Sequence, residues 1–289
     1  MNNFQPGILA AVPAQARYLT FVLAAPEVDP RPALSALAAL VDGEATVAGL
    51  GASLLDILDA PVPGLVDFPA YAGAGLDIPA TPAALWLWLR GEDRGELWQR
   101  SRRFEKALAP AFELAGWVDA FRYGIGRDIT GYEDGTENPK GDDALAVAFN
   151  EDGSSFVAVQ DWRHDLTNFE AMTPETQDHT FGRKKSDNEE LENAPDSAHV
   201  KRTAQESFAP EAFVLRRSMP WTEGSEAGLV FVSFGRSLDA FTAQLRRMTG
   251  QEDGITDALF SFTRPLSGAF FWCPPMADGR LDLSKVLNS

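Results

Sequence analysis

Residues 85–104 read LWLWLRGEDRGELWQRSRRF, and residues 229–248 read LVFVSFGRSLDAFTAQLRRM. Each opens on an apolar run of strand character, turns through a short charged loop containing glycine, and continues into an amphipathic helical pattern. The two stretches have equal length and lie 229 − 85 = 144 residues apart. A second pair follows in the same order. DAFRYGIGRDITGY (119–132) resembles DALFSFTRPLSGAF (257–270), with Asp119 matching Asp257 at an offset of 138, and Arg127 and Gly131 matching Arg264 and Gly268 at 137. Upstream, YLTFVLA (18–24) has a counterpart in SSFVAVQ (154–160). Three pairs in one order at nearly one offset indicate an internal duplication.

PRPALSALAAL (30–40) supplies helical periodicity after the first strand, so each half reads strand, helix, strand, strand, helix, strand, which is the ferredoxin-like motif. The expected fold is therefore α+β: a duplicated ferredoxin-like fold, two four-stranded antiparallel sheets with peripheral helices. The N-terminal half covers residues 1–140 and the C-terminal half residues 141–289, with the join near PKGDDALAVAFNED (139–152). The polar segment 164–207 is longer than an ordinary connection in a compact domain, and a site is expected there.

The bulk chemistry narrows the function classes. A chain of 289 residues with net charge -17 has ample core, and its charge opposes binding to nucleic acid or anionic membranes. The single cysteine, Cys273, lies in the apolar run AFFWCPP and reads as a buried small hydrophobe, which fits a reducing compartment. The opening MNNFQPGILAAVPAQARYLTF has no basic region and only a short apolar stretch broken by proline. No export signal or membrane span is expected, and the expected location is the cytoplasm.

All three histidines, His164, His179 and His199, fall in the polar segment. There is no His-x-x-x-His pair and no Cys-x-x-Cys, so a protein-only zinc site is not supported. Phosphate-binding and nucleophile-elbow signatures are also absent. What remains is DSAHVKRT (196–203), VLRRSMPW (214–221) and the acidic turn GYEDGTENP (131–139). A lone imidazole holds a bare metal ion poorly, but it suits haem iron, because the porphyrin supplies the four in-plane ligands. Taken one at a time, these segments have plainer readings. GYEDG reads as a solvated turn. Asp134, Glu137, Asp142 and Asp143 read as an acidic calcium loop without EF-hand spacing. His199 reads as a surface or core residue, and Arg216 and Arg217 as a solvated strand end. His164 and His179 read as surface loop residues, with His164 the rival axial ligand. Trp86, Trp88, Trp98 and Trp117 read as core.

In order down the chain, GYEDGTENP, FGRKKSDNEEL (181–191), DSAHVKRT, VLRRSMPW and GLVFVSFGRSLDAFTAQLRRMTG (228–250) resemble the dye-decolourising peroxidases, in particular their compact bacterial subgroup without an export signal. The resemblance implies haem b (iron protoporphyrin IX) in the C-terminal half, with His199 as axial ligand of the iron. It implies Asp134 as a distal carboxylate moving a proton of bound peroxide, and Arg216 as a distal arginine that stabilises negative charge and meets a propionate. Ser218 takes the place of a polar distal group and Arg183 meets a propionate. Gly135, with Gly131, lets the backbone pass close to the porphyrin face. Asp257, chosen because it begins the strand matched above, is the second-shell carboxylate behind His199. Trp221 and Tyr132 lie near the implied site, as packing or as electron relays. The implied activity is reduction of hydrogen peroxide and oxidation of bulky organic donors such as dyes or phenolics, through a high-valent iron-oxo intermediate. A homo-oligomer is also implied, with no nucleic acid and no membrane as partner. The alternative is a haem-binding or haem-handling protein with little turnover. Relatives enter encapsulin shells through a C-terminal tail; this chain ends at RLDLSKVLNS, and no such extended tail is expected.

Overall fold

Leucine and tryptophan alternate along LWLWLRG, and the alternation has two buried destinations. Leu85, Leu87 and Leu89 join the larger core cluster, while Trp86 and Trp88 join a second, aromatic-rich cluster. A strand apolar on both faces must be covered on both faces, and the architecture follows from that. The computed structural model describes residues 3–73 and 75–287. Eight strands in chain order are β1 (Gln15–Leu23), β2 (Thr46–Leu50), β3 (Leu85–Gly91), β4 (Phe112–Phe121), β5 (Ser155–His164), β6 (Met219–Glu223), β7 (Glu226–Gly235) and β8 (Ala269–Cys273). They hydrogen-bond in the order β8-β2-β3-β1-β4-β6-β7-β5, and β5 pairs again with β8, closing a ring.

Within the ring each half keeps one order: β2-β3-β1-β4 in the first, and β6-β7-β5-β8 in the second. Relative to its own chain order, each half runs second, third, first, fourth. The expectation of two separate four-stranded sheets is corrected at this point. The halves meet edge to edge through single registered pairs, Leu50↔Trp272 and Ala120↔Trp221, and form one closed sheet. Closure removes four exposed edges that would otherwise present unpaired backbone groups.

The ring interior is filled by Tyr18, Trp86, Trp88, Trp221, Phe234 and Phe271. The outer face packs against helices. In the first half these are α1 (Arg31–Leu40) and α2 (Arg94–Leu108). Helix α2 starts where the Asp93 carboxylate accepts the Glu96 N–H at 2.8 Å, and it buries Leu97, Ser101, Phe104 and Leu108 along one stripe. Between the halves, 141–148 forms helix α3 (Gly141–Ala148). In the second half the long polar segment folds into α4 (Leu166–Ala171), α5 (Pro174–Phe181) and the single turn α6 (His199–Arg202), and α7 (Asp239–Met248) follows β7.

The 85–104 and 229–248 repeats are structural equivalents, each a strand leading into a helix. The second repeated pair is not. Asp119 lies near the end of β4, whereas Asp257 precedes a short 3-10 turn, Ala258–Ser261, and not a strand. The true counterpart of β4 is β8, whose apolar AFFWC carries no charge to align. Two tryptophans also depart from expectation: Trp98 on α2 and Trp117 on β4 are 48% and 59% exposed. Arg17 lies over the Trp117 ring at 5.6 Å, so that indole packs on a side-chain stem at the surface. No described helix is long and apolar enough to cross a membrane. The last two residues of the C-terminal stretch lie outside the described residues.

Candidate functional site

The second half carries a cleft between the outer face of its sheet and the segments packed over it. The cleft holds about 1270 Å³ of space, its open mouth included, and Asp134, Arg216, His199, His164, Asp128, Tyr132 and Arg183 are among its lining residues. An apolar chamber of about 630 Å³ continues it under α7, walled by Phe231, Phe241, Leu245 and Met248, and shares His199, Asp134 and Arg216. This is the size class and apolar character of sites for cofactor-sized ligands. The segments carrying Asp134, His199 and Arg216, 216 − 134 = 82 positions apart at their extremes, meet on it.

His199 opens α6. One turn of helix has no stability of its own, and its fixation is tertiary. The Arg202 guanidinium is clamped by both oxygens of Asp253, each at 2.8 Å, and donates to the Arg247 carbonyl at 2.6 Å, which ties α6 to the end of α7. The Arg202 bonds and charge hold the Asp253 carboxyl down to about 2. The Asp257 amide donates to Met248 O and the Ala258 amide to Ser197 O, both at 2.8 Å, so the Asp257 turn is sewn to the same two elements. As a result Asp257 Oδ2 sits 2.7 Å from His199 Nδ1. Asp257 Oδ1 accepts the Leu259 N–H at 2.9 Å, capping the 3-10 turn. The Asp257 side chain is fully buried, and these two donors are what satisfy it. A carboxylate facing Nδ1 places the imidazole proton there and leaves Nε2 as a lone pair, with no protein partner among the described residues.

Asp134 and Arg216 come from different segments, 3.5 Å apart. Asp134 Oδ1 accepts the next amide, that of Gly135, at 2.7 Å, while Oδ2 faces no hydrogen-bond donor among the described residues. Arg216 ends a two-residue strand paired with β7. What brings the two segments together is Asn138, which sequence reasoning registered only as part of a motif. Its Oδ1 accepts the Arg216 N–H at 2.7 Å and its Nδ2 donates to Arg216 O at 3.0 Å. That two-bond clasp imitates a strand partner and sets the Asp134 loop against the Arg216 strand. Gln205 adds a second clasp, donating to Glu137 O and accepting from the Val214 N–H, both at 2.9 Å.

The remaining candidate residues sit in differing surroundings. Gly135 and Gly131 have φ of +71° and +91°, and an added Cβ would meet the Asn138 amide at 2.7 Å and the Lys185 side chain at 2.5 Å, respectively. The glycines are required by backbone hand and by those neighbours, and neither is among the residues lining the cleft. Ser218 turns its hydroxyl to β7, accepting the Val232 N–H at 3.4 Å, and does not face the cleft. Arg183 lines the cleft but is engaged by Glu137 at 2.7 Å and Glu190 at 3.3 Å. Trp221 belongs to the ring interior, on the far side of the sheet from the helices. Tyr132 does line the cleft; it stacks on Phe181 at 3.9 Å and donates to Asp178, and burial with that bond raises its phenol above the ordinary range. His164, read as a surface residue, has a side chain only 5% exposed on the cleft wall. His179 lies in the last turn of α5 and is not among the lining residues.

The donor set can be tested against a metal or cofactor. Among the described residues no group of three His, Cys, Asp or Glu side chains could hold a metal ion. One imidazole with a free Nε2, a buried carboxylate behind it, and an apolar chamber in front suit a metal that brings its other ligands with it, and iron porphyrin is that case.

Comparison with known proteins gives the same direction. A family model described as Dyp-type peroxidase, C-terminal, matches residues 126–278, just over half of the chain. Curated relatives named dye-decolorizing peroxidase include one from Brevibacterium linens, 31% identical over 242 residues, and one from Mycolicibacterium paratuberculosis, 32% identical over 244. Each alignment covers 79% of this chain, but only 66% and 68% of those longer relatives. Among solved structures, a dye-decolorizing protein from V. cholerae superposes with TM-score 0.84 at 29% identity, over 93% of this chain and 96% of that one. A DypB variant from Rhodococcus jostii RHA1, solved in complex with heme, superposes with TM-score 0.85 at 25% identity, over 92% of this chain and 94% of that one. A model match over the half that builds the cleft, relatives at about 30% identity and solved members matching nearly end to end agree, and the chain belongs to the Dyp-type peroxidase family.

Proposed function

We propose that this protein is a haem-dependent peroxidase that reduces hydrogen peroxide and oxidises bulky organic donors such as dyes or phenolics. The observation that carries the reading is the His199–Asp257 pair, which leaves Nε2 free in the same cleft as the Asp134–Arg216 pair. His199 would hold the iron of haem b, with Asp257 fixing its tautomer and adding electron density to the ring. Bound haem supplies the redox chemistry. The chain's own work is to hold and move a proton. Asp134, with Oδ1 engaged by an amide, offers Oδ2 to take the proton of an incoming peroxide and return it to the departing oxygen. Arg216, within 3.5 Å, would stabilise negative charge that develops there and would serve as a partner for a propionate. Arg183, now paired with two glutamates, would be a candidate for the second propionate. An acid–base carboxylate beside an arginine has no use in a haem carrier, which favours turnover over the haem-handling alternative.

The division into halves at 1–140 and 141–289, as a duplicated ferredoxin-like unit, is part of this reading and is supported by the identical strand order of the two halves. So are a cytoplasmic setting, for which buried Cys273 is the support, and a homo-oligomeric state. The experiment is reconstitution with hemin, followed by the absorption spectrum before and after peroxide and by oxidation of an anthraquinone dye. Asp134→Asn and Arg216→Leu are expected to lower peroxide turnover at least tenfold with little change in hemin affinity. A reconstituted protein whose spectrum does not respond to peroxide at any pH from 4 to 7 overturns the reading.

A further inference from the structure

Asp134 is held by a loop, and a loop that presents a proton-transfer group must be fixed to something rigid. The segment 126–134 closes on itself: the Asp134 amide donates to Gly126 O at 3.0 Å, the Gly131 amide to Asp128 O at 2.8 Å, and the Asp128 amide to Tyr132 O at 2.8 Å. At its centre the Asp128 carboxylate accepts the Thr130 N–H at 3.0 Å and the Thr130 hydroxyl through Oδ2. Its other oxygen, Oδ1, reaches His164 Nε2 at 3.1 Å. His164 is the last residue of β5 and is paired in register with Thr263, so it belongs to the sheet.

His164 is bonded through both of its ring nitrogens. Thr263 donates its hydroxyl hydrogen to Arg163 O at 3.1 Å, so toward His164 Nδ1, 2.6 Å away, its oxygen accepts. Nδ1 therefore carries hydrogen. Burial raises the Asp128 carboxyl, but the His164 bond and charge, then Thr130, outweigh it and leave the group below the ordinary range. Both ring nitrogens are thus engaged, and the link is a buried side-chain bond from the sheet to the loop. Asp161 is the other carboxylate that feels the His164 charge, and Phe262 covers the ring at 5.7 Å.

We propose that His164, acting through Asp128, is a positioning residue for Asp134: the imidazole, bonded through both ring nitrogens, bolts the 126–134 loop to the end of β5 and fixes where the distal carboxylate stands in the cleft. The proposal rests on the peroxidase reading of that cleft. Neither residue touches the Asp134–Arg216 pair by any bond described above, so removal of the bolt leaves those groups present and misplaced.

The test uses Asp128→Asn, His164→Phe and Thr263→Val, the last removing only the acceptor of Nδ1–H. On the apo-protein, amide hydrogen exchange over 126–135 is expected to speed about tenfold or more in the first two variants and less in Thr263→Val, with exchange in β3 and β7 unchanged. On the hemin-loaded protein, kcat/KM for peroxide is expected to fall by about tenfold or more, the KM for the organic donor to stay within about twofold, and hemin affinity within about threefold. His164→Gln, which keeps one donor toward Asp128, is expected to recover part of both effects. Unchanged loop exchange, faster exchange without loss of the peroxide step, or a parallel loss of hemin affinity each overturn the proposal. If His164→Phe fails to fold, Asp128→Asn and Thr263→Val decide by the same readings. A wild-type protein that binds hemin but never turns over peroxide refutes the peroxidase reading instead, and the apo-protein exchange then still reports on the bolt.

Discussion

Replacing Asp257 by asparagine is the most informative single perturbation, because the structure says where the loss will land. The carboxylate accepts two hydrogens, from His199 Nδ1 at 2.7 Å and from the Leu259 amide at 2.9 Å. Asparagine keeps one acceptor oxygen and turns the other into a donor. Asparagine and aspartate cap a helical turn about equally well, so the remaining oxygen stays on the Leu259 N–H, and the NH₂ group is set against the imidazole. What is lost is the charge-assisted bond to His199, worth about 1.5–3 kcal/mol. Outer partners of metal-bound histidines typically account for 10–100-fold in metal affinity. If the loss falls on ferric and not on ferrous haem, the iron reduction potential rises by about 59 mV per tenfold, which puts the expected rise on the order of 60–120 mV. Spectroelectrochemical titration of the hemin-loaded variant beside wild type measures it, with hemin affinity as a second reading. A potential that is unchanged or lower in Asp257→Asn, in a protein still ligated through His199, refutes the assignment of Asp257 as the electron-donating partner.

Three further outcomes are expected. His199→Ala removes the only cleft imidazole with a free nitrogen, and hemin titration should lose its axial-histidine spectrum while His164, with both nitrogens bonded, does not substitute. Asn138→Ala breaks both bonds of the clasp on Arg216, and it should cost about 1–3 kcal/mol in urea unfolding together with a larger fractional loss in peroxide turnover than in stability-matched surface variants. Burial raises the Asp161 carboxyl to about 6, against an unfolded value of about 3.9. The folded state thus keeps a proton that the unfolded chain gives up, so this contribution is fully present below pH about 4 and is lost as pH rises through about 6. The integrated loss is about 3 kcal/mol at 1.36 kcal/mol per unit, and Asp161→Asn should flatten that limb of the stability–pH curve; an unchanged limb rules the group out.

The fold was legible where a local period carried it. The alternation of LWLWLRG and the helical stripe of GELWQRSRRF fix a strand and a helix, and their echo 144 residues later fixes the second copy. Local periods carry no information about which edge meets which. The joins at Leu50↔Trp272 and Ala120↔Trp221 are single pairs at strand ends, and nothing in either residue type distinguishes pairing with a partner sheet from ending in solvent. Trp98 and Trp117 misled for a related reason. Their spacing is that of a buried position, but both lie at the surface, Trp117 against the Arg17 side chain.

Chemistry at the site was legible in residue type and illegible in its supports. His199, Asp134 and Arg216 stand out because each is rare in its pattern, and all three do line one cleft. Asp257 was reached by position for a reason that does not hold, since it caps a turn and begins no strand; the backbone bonds of that turn to Met248 and Ser197 are what place it behind α6. Asn138, Gln205 and Asp128 gave almost no signal, and His164 stood out only as a rival axial ligand, because a residue that bonds backbone atoms sixty or more positions away, or a single partner across the loop, leaves no periodicity. Their common property is visible only in three dimensions. Each spends side-chain hydrogen bonds on joining the Asp134 loop, or the imidazole segment, to the sheet. The reacting groups all sit on connections, which are cheap to vary and hard to hold still. A cleft of this kind therefore needs about as many residues to immobilise its chemistry as to perform it, and the immobilising set is where substitutions should alter the rate while leaving the cofactor bound.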